Sequence, residues 1–198
     1  MRLNKRPKIL IHGLWNTAKI FNTISKKLDA YEIEYFTPTL IHDFGMISII
    51  DLSEYLNELI IKKYGLKEEI DIVGFSMGGL IVRYWINKFN GYKRTKKFIS
   101  IGSPQKGTFT AQLIPSFPLK GISEMKIGSI FLTELSRYDY LLKDIECISF
   151  FTKWDLMVMP GWKAYLPFGK KYSLNVFKHK NLVKSPEAMN LIIQKIIN

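Results

Sequence analysis

A serine lies between two glycines in residues 70–79, IDIVGFSMGG, where an apolar β-type run changes into a helix-like pattern. Gly74 and Gly78 permit a very tight turn around Ser76, because a side chain at either place would clash. Such a nucleophile elbow holds the hydroxyl at the end of a sheet, beside the free N–H groups of a helix. The bare pattern is weak evidence, but its place after a strand and before a helix predicts a nucleophilic serine.

A serine hydroxyl needs a histidine to take its proton and an acid to orient that histidine. In proteins with this elbow, the chain order is serine, then aspartate or glutamate, then histidine. The sequence contains three histidines, and His12 and His42 both precede Ser76. His179, just past the last predicted strand, is therefore the predicted base.

The acid must lie between the serine and the histidine, at the carboxyl end of a strand. Asp155 directly follows the apolar run ISFF and meets this condition. Asp139, Asp144 and Glu146 precede or begin this strand and so lie at the wrong edge, and Glu124 and Glu134, in a loop and a helix, are weaker candidates. We predict Asp155 as the acid.

A developing oxyanion requires hydrogen-bond donors that are already in place. The backbone N–H of Met77, at the start of the helix, is one predicted donor. The second is expected from the loop after the first strand, where Gly13 permits a bend and the Leu14 N–H can point inward. His12 is then expected to be a structural hydrogen-bonding residue and not a base.

Apolar β-branched runs alternate with amphipathic segments along the whole chain, which predicts parallel strands joined by right-handed helical crossovers. We expect a doubly wound, mainly parallel six-stranded sheet in the order 2-1-3-4-5-6, with helices on both faces. Strands are predicted at 8–12, 32–36, 70–74, 97–102, 145–151 and 171–177, and helices at 17–30, 47–63, 77–89, 128–142 and 186–197.

Two long segments without periodicity, 103–127 and 155–170, follow strand ends and are rich in apolar side chains. Open α/β sheets bind ligands at this edge. The segments either cap the core or form an acyl-binding wall or small lid. Under the second interpretation, the expected substrate-binding residues are Trp15, Phe109, Leu113, Met157 and Trp162.

With 198 residues, 47% of them apolar, the chain is expected to form one globular domain over residues 1–198. No run is long enough for a membrane span, and the basic N-terminal tail does not resemble a signal peptide. The single cysteine, Cys147, excludes an internal disulfide and is expected to be a buried filler. These features predict a cytoplasmic protein.

The net charge of +12 is compatible with nucleic-acid or anionic-membrane binding. No nucleic-acid motif accompanies it, so nucleic acid is not an expected partner, and a solvating lysine bias is the simpler explanation. From Leu156 to Pro186, however, there are six lysines and no acidic residue. This stretch keeps open a peripheral contact with an anionic membrane surface.

These motifs resemble those of small bacterial lipases and esterases of the α/β-hydrolase superfamily, from about residue 8 to 197. The segments that carry the resemblance are IHGLW, GFSMGGLIVRYW, ISIGSPQKGT, IGSIFLTEL, WDLMVMP and FKHKNLV. Phe75 and Gln105 depart from the family pattern, since each stands where many relatives have histidine. Both lie outside the predicted triad, so we expect them to affect substrate preference. The short chain leaves little or no room for a large lid.

The resemblance implies an α/β-hydrolase that cleaves carboxylic esters with apolar acyl chains through Ser76, Asp155 and His179, without cofactor or metal. A phospholipase or lysophospholipase, a thioesterase or an acyltransferase would use the same triad. A binding protein that keeps the fold without turnover is the alternative from another class.

Overall fold

The computed structural model describes residues 5–198; residues 1–4, which open the basic N-terminal tail, lie outside the described part. Its centre is a six-stranded sheet with strands in the order β2-β1-β3-β4-β5-β6, all parallel, as the sequence predicts. The strands are β1 (Lys8–Ile11), β2 (Tyr35–Phe36), β3 (Ile70–Phe75), β4 (Thr95–Ile101), β5 (Glu146–Phe151) and β6 (Lys170–Ser173).

α-Helices lie in the first four connections between successive strands, a 3₁₀ helix at Gly161–Ala164 lies in the fifth, and a last α-helix follows β6. The α-helices are α1 (Asn22–Ala30), α2 (Ile49–Tyr64), α3 (Met77–Lys88), α4 (Phe109–Gln112), α5 (Lys120–Glu124), α6 (Ile130–Ser136) and α7 (Pro186–Ile197). Serine side chains cap three of them: Ser48 accepts from the Asp51 N–H, Ser129 from the Leu132 N–H and Ser185 from the Ala188 N–H. Each cap satisfies an N–H group that has no partner inside its helix.

The core has two layers, one on each face of the sheet. Alternate residues of a strand point to opposite faces, so Ile9 and Ile11 of β1 pack on one side and Leu10 on the other. The first layer is covered by α2, α3 and α6, and the second by α1 and α7. This is the doubly wound arrangement expected from the alternating pattern.

The strand order reverses direction beside β1, which lies between β2 and β3. Connections from neighbouring strands diverge at such a point and leave a crevice at the carboxyl edge of the sheet. The elbow serine follows β3, and the predicted oxyanion loop follows β1. The topology therefore places both segments beside this crevice.

Several predicted elements differ in extent from those observed. The last strand, predicted at 171–177, ends at Ser173, and the helix predicted at 17–30 is a 3₁₀ helix at Ala18–Phe21 followed by α1. The second strand is only Tyr35–Phe36, and it pairs on one side with β1. The predicted helix at 128–142 is divided into α6 and a short 3₁₀ helix at Asp139–Leu142. Arg83 binds the Asp139 carboxylate from α3, so a tertiary ion pair holds the residues just after the break.

Cys147 is buried in β5, as expected for a filler residue. Burial raises the pKa of its thiol to about 12, which leaves little thiolate at neutral pH. Separately, none of the helices within residues 5–198 combines the length and apolar character that crossing a membrane requires.

An ion-pair cluster lies at the amino edge of the sheet. Asp71 of β3 binds Arg6 Nε at 2.9 Å and Lys8 Nζ at 2.7 Å. Lys8 and Asp71 are both buried, and desolvation lowers the pKa of Lys8 although Asp71 opposes that shift. A buried ammonium left without this carboxylate is strongly unfavourable.

We therefore expect Asp71→Asn to lower the free energy of unfolding by about 3–5 kcal/mol, measured by urea denaturation. Glu69→Gln is the matched control, because its ion pair with Lys96 is exposed at a similar distance of 2.9 Å. The control should change stability by less than about 1 kcal/mol. Equal losses in the two variants would contradict the assigned role of the buried pair.

Candidate active site

Ser76 joins β3 to α3 in a strained turn. Its backbone angles are φ 56° and ψ −130°, a region that side-chain-bearing residues rarely adopt. The turn is fixed by two backbone hydrogen bonds, from Ser76 N to Ile101 O at 2.9 Å and from Gly79 N to Ser76 O at 3.0 Å. This is the nucleophile-elbow geometry that the sequence predicts.

Small residues allow three segments to meet at this turn. A Cβ on Gly78 would run into the backbone carbonyl oxygens of Ile11 and His12. A Cβ on Gly13 would lie only 2.5 Å from the Cβ of Ser76. The loop after β1 therefore packs directly on the elbow, because no side chain intervenes.

His179 and Asp155 form a buried hydrogen-bonded pair. Nδ1 of His179 lies 2.7 Å from Oδ2 of Asp155, and both side chains are buried. The other carboxylate oxygen accepts the N–H groups of Met157 and Val158, at 2.9 and 3.0 Å. Since a carboxylate only accepts, the histidine donates through Nδ1–H, and Nε2 keeps a lone pair for a proton.

The imidazole of His179 is also held from the side. The ring of Phe75 stacks on it, with centroids 4.8 Å apart and an interplanar angle of 28°. Nε2 of His179 is buried and has no hydrogen-bond partner within the part of the chain that the structure describes. Phe75, one of the two departures from the family pattern, directly precedes Ser76, and its ring packs against the imidazole of His179.

Ser76 and His179 line one cavity of about 300 Å³. It opens between the loops that follow β1, β4 and β5, and most of its walls are apolar. Its other lining residues are Leu14, Trp15, Asn16, Pro104, Thr108, Thr110, Ala111, Ile114, Ile122, Met125, Met157, Val158 and Lys180. The structure therefore brings Ser76, His179 and Asp155 together around an apolar space, although they are far apart in the sequence.

Both predicted oxyanion donors adjoin this cavity. Met77 is the first residue of α3, so its N–H has no acceptor within the helix. The neighbouring N–H groups of Trp15 and Asn16 donate to His42 Nε2 and Gly13 O. Within residues 5–198 no acceptor receives the Leu14 N–H. The two backbone donors are thus available for a ligand, and their joint use remains a prediction.

His12 has the structural role that the sequence predicts. Its Nε2 accepts the Leu40 N–H at 2.9 Å, and its Nδ1 lies 3.0 Å from the carbonyl oxygen of Gly13. Burial lowers the pKa of this imidazole, so the neutral form is favoured. The residue ties the oxyanion loop to the segment that follows β2.

The predicted substrate-binding residues separate into two groups. Trp15 and Met157 line the cavity, whereas Phe109, Leu113 and Trp162 are exposed outside its lining. From α4, α5 and the residues just after them, the cavity is lined instead by four residues that were not predicted to bind substrate: Ala111, Ile114, Ile122 and Met125. The apolar composition of 103–127 indicated that this segment contributes to the site. It could not predict which side chains of such short helices face the cavity.

Gln105, the second departure from the family pattern, lies in a buried polar network. Its Nε2 donates to Ser100 Oγ at 3.0 Å, and its backbone and side-chain oxygens accept from Arg83 Nη1. Arg83 also pairs with Asp139, an acid that the sequence places at the wrong edge of the sheet for the triad. This network ties the loop after β4 to α3. Its side chains do not line the cavity, although Pro104 and Thr108 of the same loop do.

A parallel six-stranded sheet in this order, with an elbow after its third strand, defines an α/β-hydrolase, as the resemblance implied. The mature form of Bacillus licheniformis lipase BlEst2 superposes with a TM-score of 0.77 at 14% identity, over 98% of this chain and 93% of that one. Aspergillus fumigatus lipase B gives a TM-score of 0.78 at 17% identity, over 97% of this chain and 52% of that one. At these identities the likeness shows the fold.

The sequence model of the palmitoyl protein thioesterase family matches residues 7–153. The chain belongs to this family of α/β-hydrolases. The matched range includes Ser76 and its elbow. It ends two residues before Asp155, so neither Asp155 nor His179 lies within it. No curated protein matches the sequence.

Glu124 lies on α5, whose Ile122 lines the cavity, and it reaches away to the start of α2. Its Oε2 accepts the Ile49 N–H at 2.5 Å, and it lines a separate groove of about 720 Å³. Desolvation raises the pKa of this carboxyl from 4.5 to about 7, and nearby Asp51 adds to the shift. The folded protein therefore keeps a proton here that the unfolded chain releases near pH 4.5.

The free energy of unfolding should therefore fall as pH rises from about 4.5 to 7 because of Glu124. We expect Glu124→Gln to flatten this dependence and to be more stable than wild type at alkaline pH, measured by urea unfolding across the range. Glu58→Gln, at an exposed position of α2, is the control and should keep the wild-type slope. A Glu124→Gln slope equal to that of the control would refute the assignment.

Proposed function

We propose that this protein is a serine acyl hydrolase in which Ser76 is the nucleophile, His179 the general base and Asp155 the orienting acid. One observation carries the proposal: His179, fixed by Asp155, opens with Ser76 onto the same apolar cavity. Membership of a thioesterase family and the lipase fold of the structural neighbours support it. The fold alone would not, since one fold serves many functions.

In the proposed reaction, Ser76 Oγ attacks the carbonyl carbon of a bound acyl ester, and Nε2 of His179 takes the hydroxyl proton. The tetrahedral intermediate collapses, and the leaving group departs with that proton. Water then attacks the acyl-enzyme, again with His179 as base, and the acid product is released. Asp155 stabilises the imidazolium in both halves of the reaction. None of these steps requires a metal or cofactor.

The oxyanion of each tetrahedral intermediate is assigned to the N–H groups of Leu14 and Met77. Such a donor typically lowers the barrier by about 2.7–4 kcal/mol, because it points in advance at the developing charge. Support comes from the free state of the two groups and from the close packing of Gly13 on Ser76.

The apolar walls of the cavity favour an acyl chain as the group that binds there. An acyl chain buried against Ala111, Ile114 and Ile122 gains hydrophobic stabilisation for each methylene removed from water. The polar group of the substrate would then lie at the mouth, where Asn16 and Lys180 line the opening. We therefore propose carboxylic esters with apolar acyl chains as the substrate class.

A thioester is the second candidate substrate, because the matching family model is that of palmitoyl protein thioesterases. The same triad would cleave a thioester, and a thiolate leaves more readily than an alkoxide. The ratio of kcat/KM values for an octanoyl ester and the matching octanoyl thioester separates the two. Phospholipid cleavage and acyl transfer to an alcohol are tested with the same enzyme preparation, by product analysis.

Hydrolysis of p-nitrophenyl esters from acetate to palmitate tests the proposed function. We expect Ser76→Ala to lose about 10⁶-fold in kcat, and Asp155→Asn about 10⁴-fold, because the asparagine favours the wrong histidine tautomer. Ser116→Ala, in the exposed loop after β4, is the control and should keep wild-type rates. The proposal fails if folded wild-type protein hydrolyses no ester or thioester, or if Ser76→Ala remains active.

The chain-length profile should depend on Ala111, which is buried and lines the cavity. Ala111→Phe should fill part of this space and lower the octanoate-to-acetate ratio of kcat/KM by about tenfold or more. Gln112→Phe adds the same ring at the next residue, which is exposed and lines the separate groove. That control should leave the ratio unchanged; a similar fall in both variants would argue against this acyl site.

A further inference from the structure

Large apolar side chains are exposed in the loops at the carboxyl edge of the sheet, the edge at which the cavity lies. They lie in the five loops that follow β1, β2, β4, β5 and β6 at the carboxyl edge of the sheet. We call these loops together the rim; they comprise residues 12–17, 37–48, 102–127, 152–163 and 174–184. Each of these loops contributes at least one. Exposed examples are Trp15, Phe44, Leu113, Phe117, Leu156 and Phe177.

Hydrogen bonds join the rim loops to one another. The Phe109 N–H donates to Met159 O at 2.8 Å, and Thr110 Oγ1 donates to Leu156 O at 3.1 Å. On the other side, the Trp15 N–H donates to His42 Nε2 at 3.0 Å. Asp155 and His179 join 152–163 to 174–184, and Gly45 packs against Ile122, so the five rim loops adjoin one another at this edge of the sheet.

The rim is also strongly cationic. It contains eight lysines, three each in residues 102–127 and 174–184 and two in 152–163, against three acidic residues. Two of those acids are engaged in the structure, since Asp155 binds His179 and Glu124 accepts the Ile49 N–H. Only Asp43 of the three is exposed.

The structure also revises which lysines of the acid-free stretch act together. Lys170 and Lys171 begin β6 and therefore belong to a strand and not to a rim loop. Lys163, Lys178 and Lys180 lie in rim loops. The cationic surface is therefore assembled from several loops and not from one continuous segment.

We propose that the rim docks on an anionic membrane surface, with its apolar side chains inserted between lipids and its lysines on the head groups. Exposed apolar side chains flanked by lysines are the combination that binds a charged interface, because insertion and attraction act together. Side chains such as Leu113 and Phe117, 75% and 88% exposed, would gain nothing from a phosphate backbone, which argues against nucleic acid. Docking in this orientation turns the cavity mouth towards the lipid.

Docking is a property of the surface and does not need turnover, so Ser76→Ala protein is used to measure it. We expect this protein to co-sediment with vesicles of equimolar phosphatidylcholine and phosphatidylglycerol. Binding to phosphatidylcholine alone should be at least tenfold weaker, and added salt should weaken the anionic case. Absence of binding to the anionic vesicles, or equal binding to both kinds, overturns the proposal.

Two variant pairs test whether the rim is the docking surface. Leu113→Ser with Phe117→Ser should weaken binding at least tenfold, whereas Leu66→Ser with Ile130→Ser, which are 72% and 83% exposed elsewhere, should not. Lys120→Gln, Lys153→Gln and Lys184→Gln together should weaken it about a hundredfold. The exposed control set Lys26→Gln, Lys27→Gln and Lys67→Gln should have a much smaller effect. Equal effects of rim and control variants overturn the proposal.

The same substitutions placed in protein with Ser76 intact separate docking from catalysis. Hydrolysis of p-nitrophenyl acetate, a dissolved substrate, should stay at wild-type rates in every rim variant, which also shows that the variants fold. If vesicle binding fails while acetate is hydrolysed, only the docking proposal is refuted. If binding follows the rim while no ester is cleaved, only the proposed function is refuted. Retention on DNA that shows the same dependence on Leu113 and Phe117 would refute the membrane as the partner.

Discussion

The close approach of the loop after β1 to the turn between β3 and α3 is the constraint on which the site depends. Gly78 packs against the carbonyl oxygens of Ile11 and His12, and Gly13 packs against Ser76, so these backbones touch without side chains between them. The strained φ of Ser76 is tolerated because the surrounding sheet and helix are buried on all sides. From this contact follow both the exposure of the hydroxyl and the nearness of the two backbone donors.

The histidine is positioned by a different set of contacts, and one residue joins the two sets. Phe75 belongs to β3 and immediately precedes Ser76, yet its ring lies against the imidazole of His179. Asp155 fixes the orientation of that ring within its plane, through the hydrogen bond to Nδ1. Phe75, which departs from the usual family pattern, therefore couples the elbow to the histidine through packing. A polar side chain at this buried position would need a hydrogen-bond partner of its own.

Sequence reasoning reached the strand order and the general position of the site, because both follow from strong local signals. Periodicity distinguishes buried strands from helices, and chain order together with strand ends selects Asp155 and His179 from their competitors. It did not reach the lining of the cavity or the true extent of β2. Which side of a four-residue helix faces inward, as at Ala111 beside Gln112, is decided by packing with distant segments, and no short pattern records that. The pairing of Arg83 with Asp139, which holds the residues after α6, is likewise a contact between segments far apart in sequence.

The position of His179 on the connection between β6 and α7 also means that the proposed base is synthesised after every strand of the sheet. The elbow is completed by β4, since Ser76 N bonds to Ile101 O, and these segments leave the ribosome early. His179 follows β5 and β6 in the chain, and Leu182 and Val183 just beyond it are buried in the core. A growing chain would therefore display a formed elbow without its base. Under the proposed chemistry, the nascent protein stays inert towards acyl groups until its last sheet strand has been added.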